Sequence, residues 1–448
     1  MVSLKGSYIV KPAEQTPNGV MCLSDCDQYK AITHAPTVYF YRPTPKFDDK
    51  APPIDILRDS LSKILVLFYP LAGRLHWISG GGRLELNCNS MGALLLEAES
   101  EAKIDDFGDF SPTPQMKALI PSADYNLPIH ELPLVLVQLT KFSCGGISIG
   151  MGISHIMVDG PSAFHFVGQW AKIARGEQSD DPPFLDRSVL LAKEFSAPPS
   201  FDRVEFNPHP LLIGHSNNLE ERKKETSEAM LKLSKDQIDK LKNRANEGQS
   251  SDKNGRRYSR YEAVAGHMWK CACRARKLES QQQTRLDVAV DLRNRLEPPL
   301  PKLYFGNAVT RAAALAISGE IVSKPLCYAS NKIREAIDKM SDEYLRSYLA
   351  FVRSQEDLSR YRNFHTVGCT QGAFYGNPNL EITSWATLPV YGADFGWGKE
   401  IHMGPGAMGY DGKSFILPGH DEDGSFIIPL RLQVAHMDAF RKFFYEDI

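Results

Sequence analysis

The sequence lacks the marks of several large protein classes. Its eight cysteines form no Cys-x-x-Cys pair and no Cys/His spacing typical of zinc sites, so we expect reduced thiols and no metal. A formal charge of −2 leaves no basic excess for binding nucleic acid. The most apolar stretch, 64–73, is too short to span a bilayer, and no signal peptide is recognisable. These absences favour a cytoplasmic protein without a nucleic-acid or membrane partner.

The chain is long enough for more than one hydrophobic core. Its 448 residues predict two or three domains, of which we favour two. Short strand patterns alternate with helical ones, which is typical of an α/β fold. A stretch rich in proline and poor in periodicity interrupts this alternation. We therefore predict an N-terminal domain at 1–196, a crossover linker at 197–225 and a C-terminal domain at 226–448.

Hydrophobic periodicity locates the individual elements. Helical spacing predicts helices at 54–68, 161–175, from a capping box at 259–262 to about 276, and at 437–445. Strand patterns occupy 37–41, 84–87, 134–142, 147–154, 382–390, 414–417 and 426–434. Within 147–154, serines and glycines alternate with apolar residues, so one face of this strand can lie very close to a neighbour.

The most informative motif is His-Ile-Met-Val-Asp-Gly at 155–160, between the strand 147–154 and the following helix. A histidine where a strand turns into a helix can face a cavity with its protonation near balance at cellular pH. In a catalytic interpretation, His155 is the general base on an acceptor hydroxyl or amine, and Asp159 fixes the turn by a charged pair. The alternative is a satisfied core histidine beside an Asx-type turn. This segment alone gives the two about equal weight.

Two glycine-rich motifs are discounted by their context. Gly-Ile-Ser-Ile-Gly at 146–150 matches a serine-hydrolase elbow, but Ser148 lies inside a strand and not at a strand-to-helix turn. Gly-Pro-Gly-Ala-Met-Gly at 404–409 matches a dinucleotide fingerprint, but a proline follows its first glycine and no helix pattern follows. We interpret the second motif as a loop between strands.

Three arginines surround a predicted helix start. Arg256, Arg257 and Arg260 flank the capping box formed by Ser259 and Glu262. Backbone N–H groups at a helix start, the helix dipole and guanidinium groups together favour a phosphate-bearing ligand. The alternative is a solvated basic face, and we slightly favour the phosphate site.

A second loop combines one charge with aromatic residues and glycines. Asp-Phe-Gly-Trp-Gly at 394–398 suits a rigid structural loop, and a buried Asp394 needs a partner, for which Arg293 is our candidate. Nearby, Thr383 and Trp385 end a strand pattern. They can offer a hydroxyl and an indole N–H to a developing oxyanion, or they simply pack within the strand.

Taken together, these motifs resemble one family. The histidine motif, followed after about two hundred residues by Asp-Phe-Gly-Trp-Gly, is similar to the plant BAHD acyltransferases, which transfer acyl groups from coenzyme A (CoA) thioesters to alcohols or amines. The segments 34–41, 68–74 and 304–307 support this resemblance, which covers essentially the whole chain. It implies an α/β fold of two chloramphenicol-acetyltransferase-like domains, each a mixed sheet with flanking helices. The active-site channel would lie at their interface.

The resemblance implies a role for each candidate residue. His155 would deprotonate the acceptor in a ternary complex without an acyl-enzyme, and no cofactor or metal would be needed. The protein would act as a monomer, with a hydroxycinnamoyl-CoA and a small polar acceptor as its ligands. The expected roles are oxyanion stabilisation by Thr383 and Trp385, structural support by Asp159, Gly160, Arg293, Asp394 and Gly396, CoA binding by Arg257, Ser259 and Arg260, and acceptor binding by His34, Thr37, Tyr39 and Arg362.

The acceptor itself is suggested by two conflicting resemblances. The segment 372–380 and the C-terminal end look like spermidine hydroxycinnamoyl transferases, which would form amides. Arg362 and the residues after it resemble shikimate hydroxycinnamoyl transferases, in which an arginine here grips the acceptor carboxylate. We expect spermidine first and shikimate or quinate as the alternative.

Overall fold

A computed structural model of the protein describes residues 1–44, 52–79, 82–192, 201–247, 256–362 and 374–448. The described residues form two six-stranded mixed sheets with flanking helices and a small three-stranded sheet. This confirms the predicted α/β class with two sheet-and-helix units.

The first sheet is built mainly from the N-terminal half of the chain. Helices α2 (Pro53–Leu67) and α4 (Gly160–Ala174) pack against each other and share its hydrophobic core. In spatial order its strands are β1 (Val2–Val10), β6 (Ala93–Ser100), β7 (Val135–Phe142), β8 (Ile147–Ser154), β3 (His34–Tyr41) and β13 (His402–Pro405).

Strand β8 accepts a close neighbour, as its small residues predict. A methyl group on Gly150 would lie only 2.0 Å from the carbonyl oxygen of Leu119. No side chain fits at that distance, so glycine allows the backbone near Leu119 to lie directly on the strand.

The second sheet has one apolar and one polar face. Its apolar face packs against α7 (Arg260–Ala275), α9 (Leu326–Asp338) and α12 (Val434–Glu446). The opposite face carries charged side chains on its central strands. In spatial order the strands are β11 (Val309–Ile317), β10 (Gln283–Asp291), β12 (Leu380–Ser384), β14 (Lys413–Pro418), β15 (Phe426–Gln433) and β9 (Thr226–Leu233).

The remaining elements are short or peripheral. The small sheet consists of β2 (Gly19–Cys22), β5 (Leu84–Cys88) and β4 (Arg74–Trp77). The other α-helices of the described residues are α1 (Asp25–Gln28), α3 (Pro114–Lys117), α5 (Leu219–Lys223), α6 (Lys235–Ala245), α8 (Ser318–Ser323), α10 (Asp342–Ser354) and α11 (Ser359–Arg362).

Two expectations for the C-terminal quarter are wrong. The strand predicted at 382–390 ends at Ser384, because the chain turns at 385–388 with the N–H of Leu388 bonded to the carbonyl of Trp385 at 3.0 Å. The motif at 404–409 does not simply form a loop, since its first two residues belong to β13, which pairs antiparallel with β3. The C-terminal half of the chain therefore completes the N-terminal sheet.

The described residues show no sign of a membrane span or a metal centre. Within the described ranges, no helix is long and apolar enough to cross a membrane. The same residues contain no group of histidine, cysteine or carboxylate side chains arranged to hold a metal ion.

Candidate active site

The turn that carries His155 lies between β8 and α4, and its backbone is held from several sides. The N–H of His155 donates to the carbonyl of Thr33 at 2.8 Å. The Asn307 side chain donates from Nδ2 to the carbonyls of His155 and Ile156, both at 3.0 Å, and to the Asp27 carboxylate at 2.9 Å. Asn307 thus fixes the turn from the second half of the chain, a role that the sequence did not reveal.

The imidazole of His155 is neutral at cellular pH. Burial lowers the pKa of His155 to about 4, the positive charge of Lys30 acts in the same direction, and the residue's own carbonyl and Asp159 oppose them. Nδ1 is buried without a hydrogen-bond partner among the described residues, whereas Nε2 remains in contact with solvent. A neutral ring with an accessible nitrogen can accept a proton from a bound ligand.

Asp159 caps α4 and is fully engaged by other groups. Its carboxylate accepts from the N–H of Ser162 at 3.1 Å and of Ala308 at 2.9 Å. Two nitrogens of Arg293 donate to it at 2.8 and 2.9 Å. Burial acts to raise the pKa of Asp159, but Arg293 and the N–H groups of Ala308 and Ser162 together outweigh this effect, and the pKa falls below its usual value. The geometry agrees with a structural role for Asp159.

The expected pairing of Asp394 with Arg293 is wrong. Arg293 binds Asp159 instead, and Asp394 accepts the N–H groups of Gly396 at 2.7 Å and Gly398 at 2.9 Å within its own loop. Both glycines have a positive φ near +100°, a region that favours glycine. The carboxylate of Asp394 is thus satisfied within its own loop, and Arg175 at the end of α4 donates to the Asp394 carbonyl.

Thr383 lies at the end of β12, in contact with a charged pair. Lys413 donates from Nζ to the Thr383 hydroxyl at 2.9 Å and to the Glu381 carboxylate at 2.7 Å. Because Lys413 supplies the proton in the first bond, the O–H of Thr383 is free to donate elsewhere. Lys413 also contributes to lowering the pKa of His155. The sequence predicted Thr383 at this site but not its two charged neighbours.

Trp385 meets the start of α4. Its ring packs edge-on against Phe164 with a centroid distance of 5.6 Å and tilts against Phe415 at 4.7 Å. A methyl group on Gly160 would lie 3.9 Å from the indole Nε1. Since Gly160 ends the histidine motif, the indole N–H lies beside the turn that carries His155.

The helix start proposed for phosphate binding is less open than the sequence implied. Glu262 accepts the N–H of Ser259 at 2.6 Å, and the Ser259 hydroxyl accepts the N–H of Glu262 at 3.2 Å. Arg334 binds the same carboxylate at 2.9 and 3.0 Å. The capping box therefore already places a negative charge at the helix N-terminus.

The three arginines near this helix start differ in their surroundings. Arg256 pairs with Asp338 at 3.3 Å, and Arg260 faces Asp239 at 3.5 Å. Arg257 is exposed and forms no ion pair with the described carboxylates. Of the three, Arg257 is the most accessible to a phosphate group.

The expectation that Arg362 grips the acceptor disagrees with its position. Its guanidinium is buried and donates to the carbonyl of Gln28, at 3.1 Å from Nε, and to the carbonyl of Gly82 at 2.7 Å. It also stacks on Trp77, 5.1 Å from the ring centroid. Arg362 therefore joins α11 to the N-terminal half, while the rest of its motif, at 363–366, lies outside the described residues.

The other three residues expected to contact the acceptor differ in how accessible they are. Both ring nitrogens of His34 are engaged, with the Tyr125 hydroxyl and the Pro133 carbonyl at 2.8 Å each. Tyr39 is 1% exposed in the core of the first sheet, so its expected acceptor contact is wrong. Thr37 is half-buried on β3 and keeps part of its surface accessible.

Comparison with known proteins supports the family suggested by these motifs. A model of the Transferase family matches residues 1–447. The chain belongs to this family, the BAHD acyltransferases. Members of the family use CoA thioesters as co-substrates and need no further cofactor.

Several relatives align over the full length of the chain. The hydroxycinnamoyl-CoA:piscidic acid hydroxycinnamoyltransferase of Actaea racemosa is 52% identical, covering 100% of both chains. The shikimate O-hydroxycinnamoyltransferase of Nicotiana tabacum is 44% identical, covering 99% of each. A hydroxycinnamoyl-CoA:5-hydroxyanthranilate N-hydroxycinnamoyltransferase of Avena sativa is 38% identical, covering 98% of each.

Solved structures share the fold at low sequence identity. Vinorine synthase superposes with a TM-score of 0.71 at 23% identity, covering 98% of this chain and 96% of its own. TRI101 of F. graminearum, complexed with coenzyme A and deoxynivalenol, gives 0.76 at 16% identity, covering 95% and 97%. These likenesses confirm the predicted arrangement of two sheet-and-helix units.

Proposed function

We propose that the protein transfers a hydroxycinnamoyl group from its CoA thioester to a hydroxyl group of a small carboxylic acid. The donor is supported by full-length relatives that are named for hydroxycinnamoyl transfer. The acceptor class is supported above all by Lys30, whose charge acts on His155 and which has no carboxylate partner among the described residues.

The positive charges of two lysines act on His155. The ammonium group of Lys30 donates to the carbonyl of Val309 at 2.6 Å and has no carboxylate partner among the described residues. Its effect on the pKa of His155 exceeds the opposing effect of Asp159, and Lys413 adds to it. A carboxylate bound beside His155 would be attracted by the charge of Lys30.

The charge of Lys30 disfavours the acceptor that we expected first. Spermidine carries positive charges at neutral pH, which Lys30 would repel. The relatives named above act on piscidic acid, shikimate and 5-hydroxyanthranilate, each of which is named as an acid or its anion. The preference for spermidine is therefore not supported, and an acid acceptor takes its place.

The chemistry assigned to His155 follows from its neutral ring. As the acceptor oxygen attacks the thioester carbonyl, the imidazole takes the hydroxyl proton, and a C–O bond forms. The tetrahedral intermediate then expels the CoA sulfur, and the imidazolium returns the proton to give the free thiol and an ester. Burial makes the imidazolium costly, so proton transfer is expected to coincide with bond formation.

Thr383 and Trp385 are assigned to the negative oxygen of that intermediate. The Thr383 hydroxyl accepts from Lys413 and can direct its own proton toward the substrate. The Trp385 indole N–H lies at the start of α4 and has no hydrogen-bond partner among the described residues. Two such donors would stabilise an oxyanion formed close to His155.

The CoA phosphates are assigned to the region around the start of α7. Arg257 is exposed there and Arg260 is half-buried, whereas the Ser259 hydroxyl serves as helix cap. Contact with phosphate is therefore expected mainly from the arginines. An Arg257→Gln variant should raise the KM for the thioester without changing the KM for the acceptor.

A competition experiment tests the proposed function. Purified protein is incubated with coumaroyl-CoA and an equimolar mixture of piscidic acid, shikimate, quinate and spermidine, and products are identified by mass. Esters of one or more acids are expected. Amides of spermidine as the main product would refute the proposal. A second mixture contains 5-hydroxyanthranilate, and acylation of its nitrogen would extend the acceptor range to aromatic amines.

A further inference from the structure

The face of the second sheet that carries Thr383 also carries an open guanidinium group. Arg311 lies on β11 opposite Ala289 of β10, and the alternation of side chains places it on the same face as Thr383. Arg311 contacts Tyr375. The Tyr375 hydroxyl accepts a hydrogen bond from Arg311, and the ring centroid lies 5.4 Å from the guanidinium carbon. Arg311 therefore belongs to the surroundings of the candidate site.

The other charges on this face are already paired. Arg285 binds Asp287 at 2.8 Å, and Lys413 binds Glu381 at 2.7 Å. Arg311 forms no ion pair with any described carboxylate. Apart from its bond to Tyr375, its N–H groups have no hydrogen-bond partner among the described residues, and the residue is half-buried. Burial acts to lower the pKa of Arg311, but Tyr375, Glu381 and Asp287 together raise it, so the guanidinium stays charged.

An aromatic wall lies beside this guanidinium. Tyr375 stacks on Tyr410 with a centroid distance of 5.0 Å, and the Tyr410 hydroxyl donates to Glu381. Glu381 is held by Lys413 and Tyr410, so it does not neutralise Arg311 through direct contact. A planar carboxylate could lie against Arg311 and accept two parallel N–H bonds, the geometry that arginine favours.

The separation from His155 suits a small acceptor. Strand β11 follows directly after Asn307 and Ala308, which bind the carbonyl of His155 and the carboxylate of Asp159. In the register of the sheet, Arg311, Ala289 and Thr383 lie side by side on three adjacent strands, so about 10 Å separate the backbone at Arg311 from that at Thr383. An acceptor with its hydroxyl group beside His155 and Thr383 would thus extend a carboxylate at its other end toward Arg311.

We infer that Arg311 binds the carboxylate of the acceptor and selects acids over neutral or basic acceptors. This inference rests on the proposed function, because it assumes an acid acceptor. It replaces Arg362, whose guanidinium is taken by backbone carbonyls, with an arginine whose donors are open.

The test compares acid and ester acceptors in Arg311→Gln and wild-type protein. Kinetics are measured with coumaroyl-CoA and whichever acid the wild type uses, and with the methyl ester of that acid. Loss of a charge-assisted contact should raise the acid KM of the variant by roughly 10- to 100-fold, with the thioester KM unchanged. The variant should also treat the acid and its ester alike, whereas the wild type should strongly prefer the acid.

Two further variants guard against a general loss of folding. Arg311→Lys should recover part of the acid preference, since it restores the charge but not the planar group. Arg58→Gln, which removes an exposed arginine paired with Asp55 on α2, should behave like the wild type. Thermal unfolding should be similar in all four proteins.

The outcomes separate this inference from the proposed function. If the wild type esterifies an acid and Arg311→Gln does so with an unchanged acid KM and an unchanged preference over the ester, the inference is overturned and the function stands. If the wild type acylates only spermidine, both are overturned.

Discussion

The turn that carries His155 and the sheet face that carries Arg311 are both polar regions, but their hydrogen bonding differs. In the turn, the backbone and the Asp159 carboxylate are held by Thr33, Asn307 and Arg293. On the sheet face, Arg311 keeps N–H groups without a partner among the described residues. In the His155 turn, the polar groups bind one another and hold the backbone in place. On the sheet face, Arg311 leaves N–H donors available to a ligand.

This difference separates positioning from ligand binding. A buried carboxylate that accepts several hydrogen bonds cannot also bind a substrate without losing them. A guanidinium with unpartnered N–H groups can bind a substrate without breaking existing hydrogen bonds. We therefore assign structural support to Asp159 and Arg293, proton transfer to the accessible nitrogen of His155, and ligand recognition to Arg311.

The largest expected effect is that of His155→Ala. Removing a general base should lower kcat by about 10²- to 10⁴-fold, because the acceptor proton then has no positioned imidazole to receive it. Steady-state kinetics measure the loss, while thioester binding and thermal unfolding should be nearly unchanged. A kcat within about threefold of the wild type would mean that His155 belongs to the supporting turn alone.

Asp159→Ala should act on stability. It leaves Arg293 half-buried without its main partner, which should cost about 3–5 kcal/mol in the free energy of unfolding. The matched control is Asp291→Ala, since Asp291 contacts the same arginine at 3.1 Å but has a side chain that is 45% exposed. That control should cost no more than about 1 kcal/mol. Equal losses in denaturant unfolding would contradict the assignment.

Thr383→Val should produce a smaller, catalytic effect. Loss of one oxyanion donor should lower kcat by about 10- to 100-fold, with the acceptor KM changed by less than about threefold. Ser384→Ala serves as the neighbouring control and should leave kcat unchanged. If the acceptor KM rises instead while kcat stays constant, Thr383 belongs with Arg311 as a binding residue.

The smallest expected effect is the change of kcat/KM with pH near neutrality. Because the pKa of His155 lies at about 4 instead of 6.5, its ring is neutral throughout the neutral range. The ratio kcat/KM should therefore be constant from about pH 6 to pH 8 as far as His155 is concerned, and should fall only near its own pKa. An inflection near pH 6.5 that disappears in His155→Gln would show that the ring is more solvated than in this structure.

The same shift has a consequence for stability. The unfolded chain binds a proton at this histidine with the ordinary pKa of 6.5, and the folded chain only at about 4. The contribution of His155 to stability is therefore complete above about pH 6.5 and decreases as the pH falls toward about 4. Unfolding of the wild type and of His155→Gln across this range measures it.

Local patterns were predicted well where neighbouring residues decide the outcome. The strand at 147–154 and the helix after Gly160 are found within one residue of their expected bounds, with Asp159 as the cap. The capping box of Ser259 and Glu262 is also present. In the helix cap and the capping box, the side chain and the backbone group that it binds lie three residues apart, so the sequence contains both partners.

Contacts between distant segments were predicted poorly. Nothing near Arg293 in the sequence distinguishes Asp159 from Asp394 as its partner, since both are far away along the chain. The pairing of β13 with β3 was missed because proline and glycine at 404–406 are typical of a loop. Arg362 was assigned to the acceptor because its motif could not show that backbone carbonyls surround it.

The sequence alone determined the α/β class and the turn with His155 at its start, because these depend on short-range periodicity and spacing. Its motifs at 155–160 and 394–398 also carried the resemblance to the family. The tertiary structure decided which charges are paired and which are open. A guanidinium that binds backbone carbonyls, as in Arg362, and one that keeps free donors, as in Arg311, have the same side-chain chemistry. Only the packing of distant strands and helices around them makes one a support and the other a candidate for ligand binding.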